Sequence, residues 1–575
     1  MPLTHSRPNP GDHVIFLVMR RMRAPLIVMI VITAISVLGM VLIPGVDEQG
    51  RPYHMSFFEA FYFISFMTTT IGFGEIPHAF TPEQRFWVTL CIYPTVIGWL
   101  YAFGSILSLM QDEGFKRTLF HAAFARHVRN LTDAFCLVCG YGATGQLLVE
   151  RMTREYRQCV VIDIDQDAIN ELVMEDLNLF VPGLGADAAD SEHLIKAGLK
   201  HPNCAAVAAV TNDDRANLKV AMNARLLHPD IPVVARADHD ETAANMRAFG
   251  VHHVINPYAI FAEDIAEAMR MPAHFRFRAR LMEGNDPAEL AERLASLADA
   301  PWILCGFGRL GRLIHERLAG EGVRFAVVDA FPERNHPPEG AIVGRGMEES
   351  TLREAGIERA GGIIAATDDD MDNLSIILAA RRLNPGVFTI ARQMRRANQA
   401  MFDAARIDMI MQCNRLVARN AHSWIATPLL HDFADGIARL SDRTVERLMK
   451  RIANKTSSDT FETWQARLDG REAPAVETML AQGAELRLGH LMRDPWRPAE
   501  ALPQIALLAE HAGREWVLPG PSLPLHRDMN ILFCGRQTTG WRAAIRQPEA
   551  LAWGVAHAEG DWAGVAAGEG ASPSS

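Results

Sequence analysis

Phe135-Cys136-Leu137-Val138-Cys139-Gly140-Tyr141-Gly142-Ala143-Thr144-Gly145 decides how this chain is read. Five apolar residues in a row have the length of a buried strand. Gly140, Gly142 and Gly145 follow at the spacing G-x-G-x-x-G, and Gln146-Leu147-Leu148 continues as a helix. Glycines so placed permit a tight turn and bring backbone amides close to an anion at the helix N-terminus. Val160-Val161-Ile162-Asp163 then reads as a second strand that ends in an acid. An acid about 20 residues beyond such glycines accepts hydrogen bonds from ribose hydroxyls. Cys136 and Cys139 form a C-x-x-C, but positions three apart on a strand face opposite ways, so the spacing does not make a metal site.

The same pattern returns downstream. Trp302-Ile303-Leu304-Cys305 leads into Gly306, Gly308 and Gly311, and Val327-Val328-Asp329 repeats the strand and its acid. Later pieces repeat too. Ala186-Asp187-Ala188-Ala189-Asp190 corresponds to Gly344-Arg345-Gly346-Met347-Glu348. Thr211-Asn212-Asp213-Asp214 corresponds to Thr367-Asp368-Asp369-Asp370. Each Thr ends a strand, where open α/β sheets place their ligands. The spacing predicts two dinucleotide-binding Rossmann-like lobes. The candidate nucleotide residues are Gly140, Tyr141, Gly142, Gly145, Asp163, Asp187 and Thr211 in the first lobe. In the second they are Gly306, Gly308, Gly311, Asp329, Arg345 and Thr367.

The N-terminal part has another character. Ala24 to Val46 and Phe86 to Gln111 carry no charge, and each is long enough to span a bilayer. Arg20, Arg21 and Arg23 precede the first stretch, and Lys116, Arg117, Arg126 and Arg129 follow the second. Basic residues on these flanks place both chain ends in the cytoplasm. Between them, Ser56-x-x-Glu59 caps a helix that is too short to span, running to about Met67. Thr70-Ile71-Gly72-Phe73-Gly74 follows. Gly98 in the second stretch is a candidate gating hinge, and close helix packing is the competing reading.

Thr70 to Gly74 resembles the selectivity filter of potassium channels, usually T-V-G-Y-G, with Phe73 for tyrosine and Glu75 for the commoner aspartate. Rings of carbonyl oxygens replace the water of a potassium ion, and glycines allow the backbone angles this needs. The two lobes resemble the "regulator of potassium conductance" (RCK) domains shared with Trk-type uptake regulators. The resemblance implies a homotetramer around one pore, in a cell (inner) membrane, with NAD, NADH or an adenine nucleotide as regulatory ligand and K+ as permeant ion. In that family the aspartate at the position of Asp187 contacts the adenosine end; Arg345 stands there in the second lobe.

The expected fold is an α-helical two-helix membrane pore domain followed by tandem α/β Rossmann-like cytoplasmic domains. The expected boundaries are a pore domain at 1–112, a linker at 113–133, a first lobe at 134–270 and a linker at 271–299. A second lobe at 300–430, a helical segment with a small C-terminal lobe at 431–540 and a flexible tail at 541–575 complete the chain.

Composition narrows the function. The chain has 575 residues, room for three or four domains, and its net charge of −11 speaks against a nucleic-acid partner. Its eight cysteines lie in apolar runs, as in a reducing compartment. No acid–base set emerges from the scattered His193, His201, His252 and His253, so the chain is not read as an enzyme. The acidic runs at Asp213-Asp214 and Asp368-Asp369-Asp370 admit calcium, but helix caps explain them better, and no metal site is assigned. The leading expectation is a ligand-gated potassium channel. The alternatives are a membrane-tethered nucleotide-sensing regulator of a potassium transporter and a membrane-anchored dehydrogenase.

Overall fold

The computed structural model describes residues 10–72, 78–456 and 462–558. The chain divides into two compact units, residues 1–130 and 131–575.

In the first unit, helices Pro10–Leu42 and Pro82–Gln111 each contain a stretch long and apolar enough to cross a membrane. They cross closely at Gly39, where the Trp87 ring lies so near that a β-carbon would come within 2.0 Å of it. The Trp87 indole donates to the Ser36 carbonyl at 3.1 Å. The large apolar side chains Ile30, Leu38, Phe86 and Ile97 are exposed, as suits lipid-facing positions. The short helix Phe57–Thr68 forms as expected. The Ser56 hydroxyl accepts from the Glu59 amide, and the Glu59 carboxylate accepts from the Ser56 amide at 2.8 Å. Ala60, Phe63 and Ile64 bury that helix against Val37 and Met40. Residues 113–133, expected as a linker, are mostly helix, Glu113–Arg129.

The second unit begins with two six-stranded parallel sheets. In each, with strands numbered within the lobe, the order is 3-2-1-4-5-6. That is the doubly wound order whose switch point lies beside strand 1. The first lobe's central strands are Phe135–Cys139 and Cys204–Ala209, and the second's are Pro301–Cys305 and Gly362–Ala365.

The lobes do not end where chain contiguity predicts. Helix Pro257–Arg270 leaves the first sheet and packs Tyr258, Phe261 and Ile265 into the core of the second, against Trp302, Leu310 and Ile314. Helix Cys413–Ala426 returns the exchange, burying Val417, Ala418 and Ala421 against Val138, Leu148 and Met152. Boundaries at 270 and 300 therefore divide the chain but not the cores.

Residues 271–299 are not a simple linker. Helices Pro272–Glu283 and Ala288–Ser296 occupy most of this stretch and bury Phe277, Leu281 and Leu294. Two of its arginines pair with carboxylates within the fold. Arg276 donates twice to Asp286, at 2.9 and 2.7 Å, and Arg278 sits between Asp264 and Glu267.

The C-terminal lobe is a four-stranded antiparallel sheet of Glu462–Arg467, Asn530–Gly535, Gln504–His511 and Arg514–Val517, in that order. One face packs Leu507 and Leu532 on Phe277, Phe433 and Ile452. The other packs Trp464 and Phe533 on Trp541 and Leu551. The predicted tail is thus corrected: residues up to 557 form helices Thr539–Arg546 and Pro548–His557, with Trp541 and Leu551 buried. The rest of it lies outside the described residues.

Candidate functional site

Two places gather the predicted residues. The first is the turn after the short membrane helix. Thr70 has φ of 59° and Gly72 of 63°, both left-handed, while the amides of Ile71 and Gly72 donate back to the Phe66 carbonyl. A left-handed conformation is unusual for a threonine. Phe73, Gly74 and Glu75 lie outside the described residues. Gly98 lies inside an unbroken helix, where a β-carbon would stand 3.0 Å from Ile32, a position of close helix packing.

The second place is the C-terminal edge of the first lobe's sheet. A cavity of about 750 Å³ opens there, lined by Gly140, Gly142, Asp163, Asp187 and Thr211 among others. The three glycines do different things. Gly140 has φ of +103° and lies against Thr211. A β-carbon on Gly145 would fall 2.0 Å from the Gly140 carbonyl oxygen, so the helix can start this close only with glycine. Gly142 faces open space and leaves its backbone accessible. Asp163 receives the Tyr141 amide at 2.5 Å and the Asp165 amide at 2.7 Å and stays partly exposed. Tyr141 itself is buried, and its hydroxyl donates to Glu175 at 2.7 Å.

Residues not singled out from sequence hold this edge together. Asn217 is fully buried; its amide oxygen receives the Thr211 amide and hydroxyl at 3.0 and 2.7 Å, and its nitrogen donates to the Thr211 and Arg236 carbonyls. Asn373 makes the same ties to Thr367 and Arg392. The signal was available as the Asn that closes both Thr-and-acid runs. Asn414, from the returning crossover helix, accepts from the Thr144 hydroxyl at 3.0 Å and lines the same cavity. No sequence pattern near the glycines announces it.

The second lobe repeats the backbone, with Gly308 facing open space as Gly142 does, but engages its acid more fully. Asp329 is 3% exposed and accepts four hydrogen bonds, from the amides of Phe307 and Phe331 and twice from the Asn335 side chain. Where the first lobe receives Asn414, the second receives Tyr258, 2% exposed, with Arg309 and Arg392 over its ring at 5.4 and 5.1 Å. Burial pushes its phenol up to about 12. Arg345 is exposed.

The acidic runs act within the fold. Asp213 and Asp369 cap helices, Asp214 receives the amides of Asp238 and His239, and Asp370 receives those of Met394 and Arg395. Among the described residues no group of three or more His, Cys, Asp or Glu is arranged to hold a metal ion. All eight cysteines are free and buried.

Comparison with known proteins fits this geometry. The TrkA-N domain family matches residues 136–257 and again 302–412. Two Methanocaldococcus jannaschii proteins, named probable potassium channel protein 2 and potassium channel protein 1, are 27% and 25% identical, each over 41% of this chain. The chain spans 65% and 68% of their respective lengths. A solved structure of the GsuK channel bound to NAD aligns over 94% of this chain and all of its own, at 17% identity and a TM-score of 0.47. Two apolar helices thus precede two TrkA-N domains carried in tandem by this chain.

Proposed function

We propose that this chain is one subunit of a potassium-selective channel whose opening is set by a ligand of its cytoplasmic lobes. One observation carries the reading. A capped helix too short to span lies between two spanning helices and delivers Thr70-Ile71-Gly72 in left-handed and turn geometry at its C-terminal end. The negative end of that helix favours a cation, and carbonyls exposed by such a turn replace an ion's water. Four chains around one axis complete the ring of oxygens, so a homotetramer follows. The relatives named potassium channel proteins support the same reading.

The first-lobe cavity suits NAD or an adenine nucleotide. Gly142 leaves room for a diphosphate near the helix N-terminus, and Asp163, with Asp187 on the same cavity, offers acceptors to ribose hydroxyls. The second lobe is assigned no nucleotide, because Asp329 is buried and already accepts four hydrogen bonds. The lobes regulate rather than catalyse: a ligand moves the pore only by binding one shape of the lobes better than another. The basic flanks support a cytoplasmic side for the lobes and both termini.

The test is potassium and sodium flux from liposomes holding the purified protein, with and without NAD or NADH. Potassium-selective flux that changes with nucleotide and vanishes in Gly72→Asp is expected. Flux unchanged by Gly72→Asp, or absent from a folded tetramer, would favour a tethered transporter regulator.

A further inference from the structure

A second cleft, of about 580 Å³, lies between the tandem lobes. Both lobes wall it. Helix Ala143–Arg154 contributes Arg151 and Arg154, the loop after strand Phe388–Gln393 contributes Arg395 and Arg396, and the returning crossover helix contributes Arg415 and Arg419. The carboxylate on this lining is Glu150, already paired with Arg154 at 2.6 Å. Among the described residues no carboxylate lies within ion-pair distance of Arg395, Arg396 or Arg415. Arg419 meets Glu283 and Asp264, yet its Nε and Nη2 are buried without a hydrogen-bond acceptor. The Arg151 side chain has one bond, to the Met282 carbonyl at 3.2 Å. Burial lowers its affinity for a proton, Glu155 and Glu283 oppose that shift, and Arg419 and Arg415 add to it.

The internal repeat supplies a control. Counting from the paired residues Arg236 and Arg392, Arg419 corresponds to Glu263, Arg395 to His239 and Arg396 to Asp240; Arg151 corresponds to Arg317. On that sister side the charges are matched. Arg317 is held by Glu263 at 2.5 and 3.0 Å, and His239 lies between Asp214 and Arg309 at 2.8 and 3.2 Å. The fold can therefore close this position with opposite charges. On the first-lobe side it gathers like charges instead, with Arg154, Arg395, Arg396 and Arg415 exposed and Arg151 and Arg419 half-buried, a set open to a counter-charge from solvent.

We infer that this cleft binds a multivalent phosphate anion that bridges the two lobes, as an effector separate from the ligand of the first-lobe cavity. Guanidinium forks match phosphate oxygens two at a time, and several at once select a polyphosphate over a single carboxylate. A bridging anion favours whichever arrangement of the lobes brings its arginines together. The inference rests on the cleft alone and stands or falls by binding, not by ion flux.

The experiment is calorimetric titration of inorganic triphosphate into the purified full-length protein. The variants are Arg395→Gln/Arg396→Gln, Arg415→Glu and Gly142→Phe, the last filling the neighbouring nucleotide cavity. Each is checked for its assembly size and thermal melting. Saturable binding weakened at least about tenfold in the first two variants and kept in Gly142→Phe is expected, since each variant removes charged hydrogen bonds to the anion. Titration of ATP into Gly142→Phe separates the sources: tighter binding than triphosphate assigns a nucleoside polyphosphate, and equal binding a free polyphosphate. No binding to the folded wild type, wild-type binding in both arginine variants, or binding lost in Gly142→Phe overturns the inference.

Discussion

The Tyr258 hydroxyl accepts a hydrogen bond from Arg392 Nη2 at 2.8 Å, and through that contact the first lobe's last helix is tied to the second lobe's sheet. Tyr258 stands where Asn414 stands in the other lobe, each the second residue of an exchanged helix. Tyr258→Ala is expected to destabilise the cytoplasmic part by about 3–5 kcal/mol, the usual cost of deleting a buried aromatic ring. Tyr258→Phe keeps the ring and is expected to cost about 1 kcal/mol, the size of one hydrogen bond. Urea unfolding of both variants checks the order.

The glycines of the first lobe separate folding from binding. Gly145→Ala forces a β-carbon against the Gly140 carbonyl oxygen and is expected to give a protein that melts well below the wild type. Gly142→Ala meets no neighbour and is expected to melt normally while binding nucleotide at least about tenfold more weakly, because its methyl group faces the diphosphate approach. Thermal melting and nucleotide titration, run together, read both effects.

Asp163→Ala removes the acceptor assigned to the ribose. Its expected result is potassium selectivity like the wild type with a nucleotide response shifted to at least about tenfold higher concentration, as the loss of charged hydrogen bonds requires. Sodium leak in this variant would contradict the separation of pore from sensor.

Acid sensitivity is expected from a stack of rings. His253 lies on Trp424 with centroids 3.2 Å apart, and Trp424 on His431 at 3.6 Å. Burial, then His252, brings His253 down to about 4, and burial, then His253 and nearby arginines, brings His431 down to about 3. Both values are below those of an unfolded chain, near 6.5. Protons therefore bind the unfolded state first as pH falls from about 6.5 toward 4, and stability drops over that window. Above it the contribution is complete. His253→Phe/His431→Phe is expected to flatten the change in urea midpoint between pH 7.5 and pH 5; an unchanged slope would remove the stack as its source.

Local pattern made much of this legible. The capping box at Ser56, the glycine turns and the acid at Asp163 are contiguous signals, and the repeat supplied each twice. What stayed hidden depends on partners distant in sequence. The buried role of Phe277 cannot be read beside Arg276 and Arg278, because their carboxylate partners lie on another helix or beyond a turn. Asn414 and Tyr258 reach the glycine turns only through the exchange of helices. The helices that hold Trp541 and Leu551 follow a strand that pairs with Glu462–Arg467, about 65 residues earlier in the chain, a separation no window of periodicity spans.

The exchanged helices also set an order of synthesis. The first lobe's sheet leaves the ribosome with its own last helix committed elsewhere, and Val417, Ala418 and Ala421 arrive only after the whole second sheet has been made. Until residue 426 emerges, the nascent first lobe carries an uncovered apolar face over Leu148 and Met152. The two TrkA-N domains thus mature as one piece, and a chain cut at the apparent boundary near residue 300 would be released with part of each core missing.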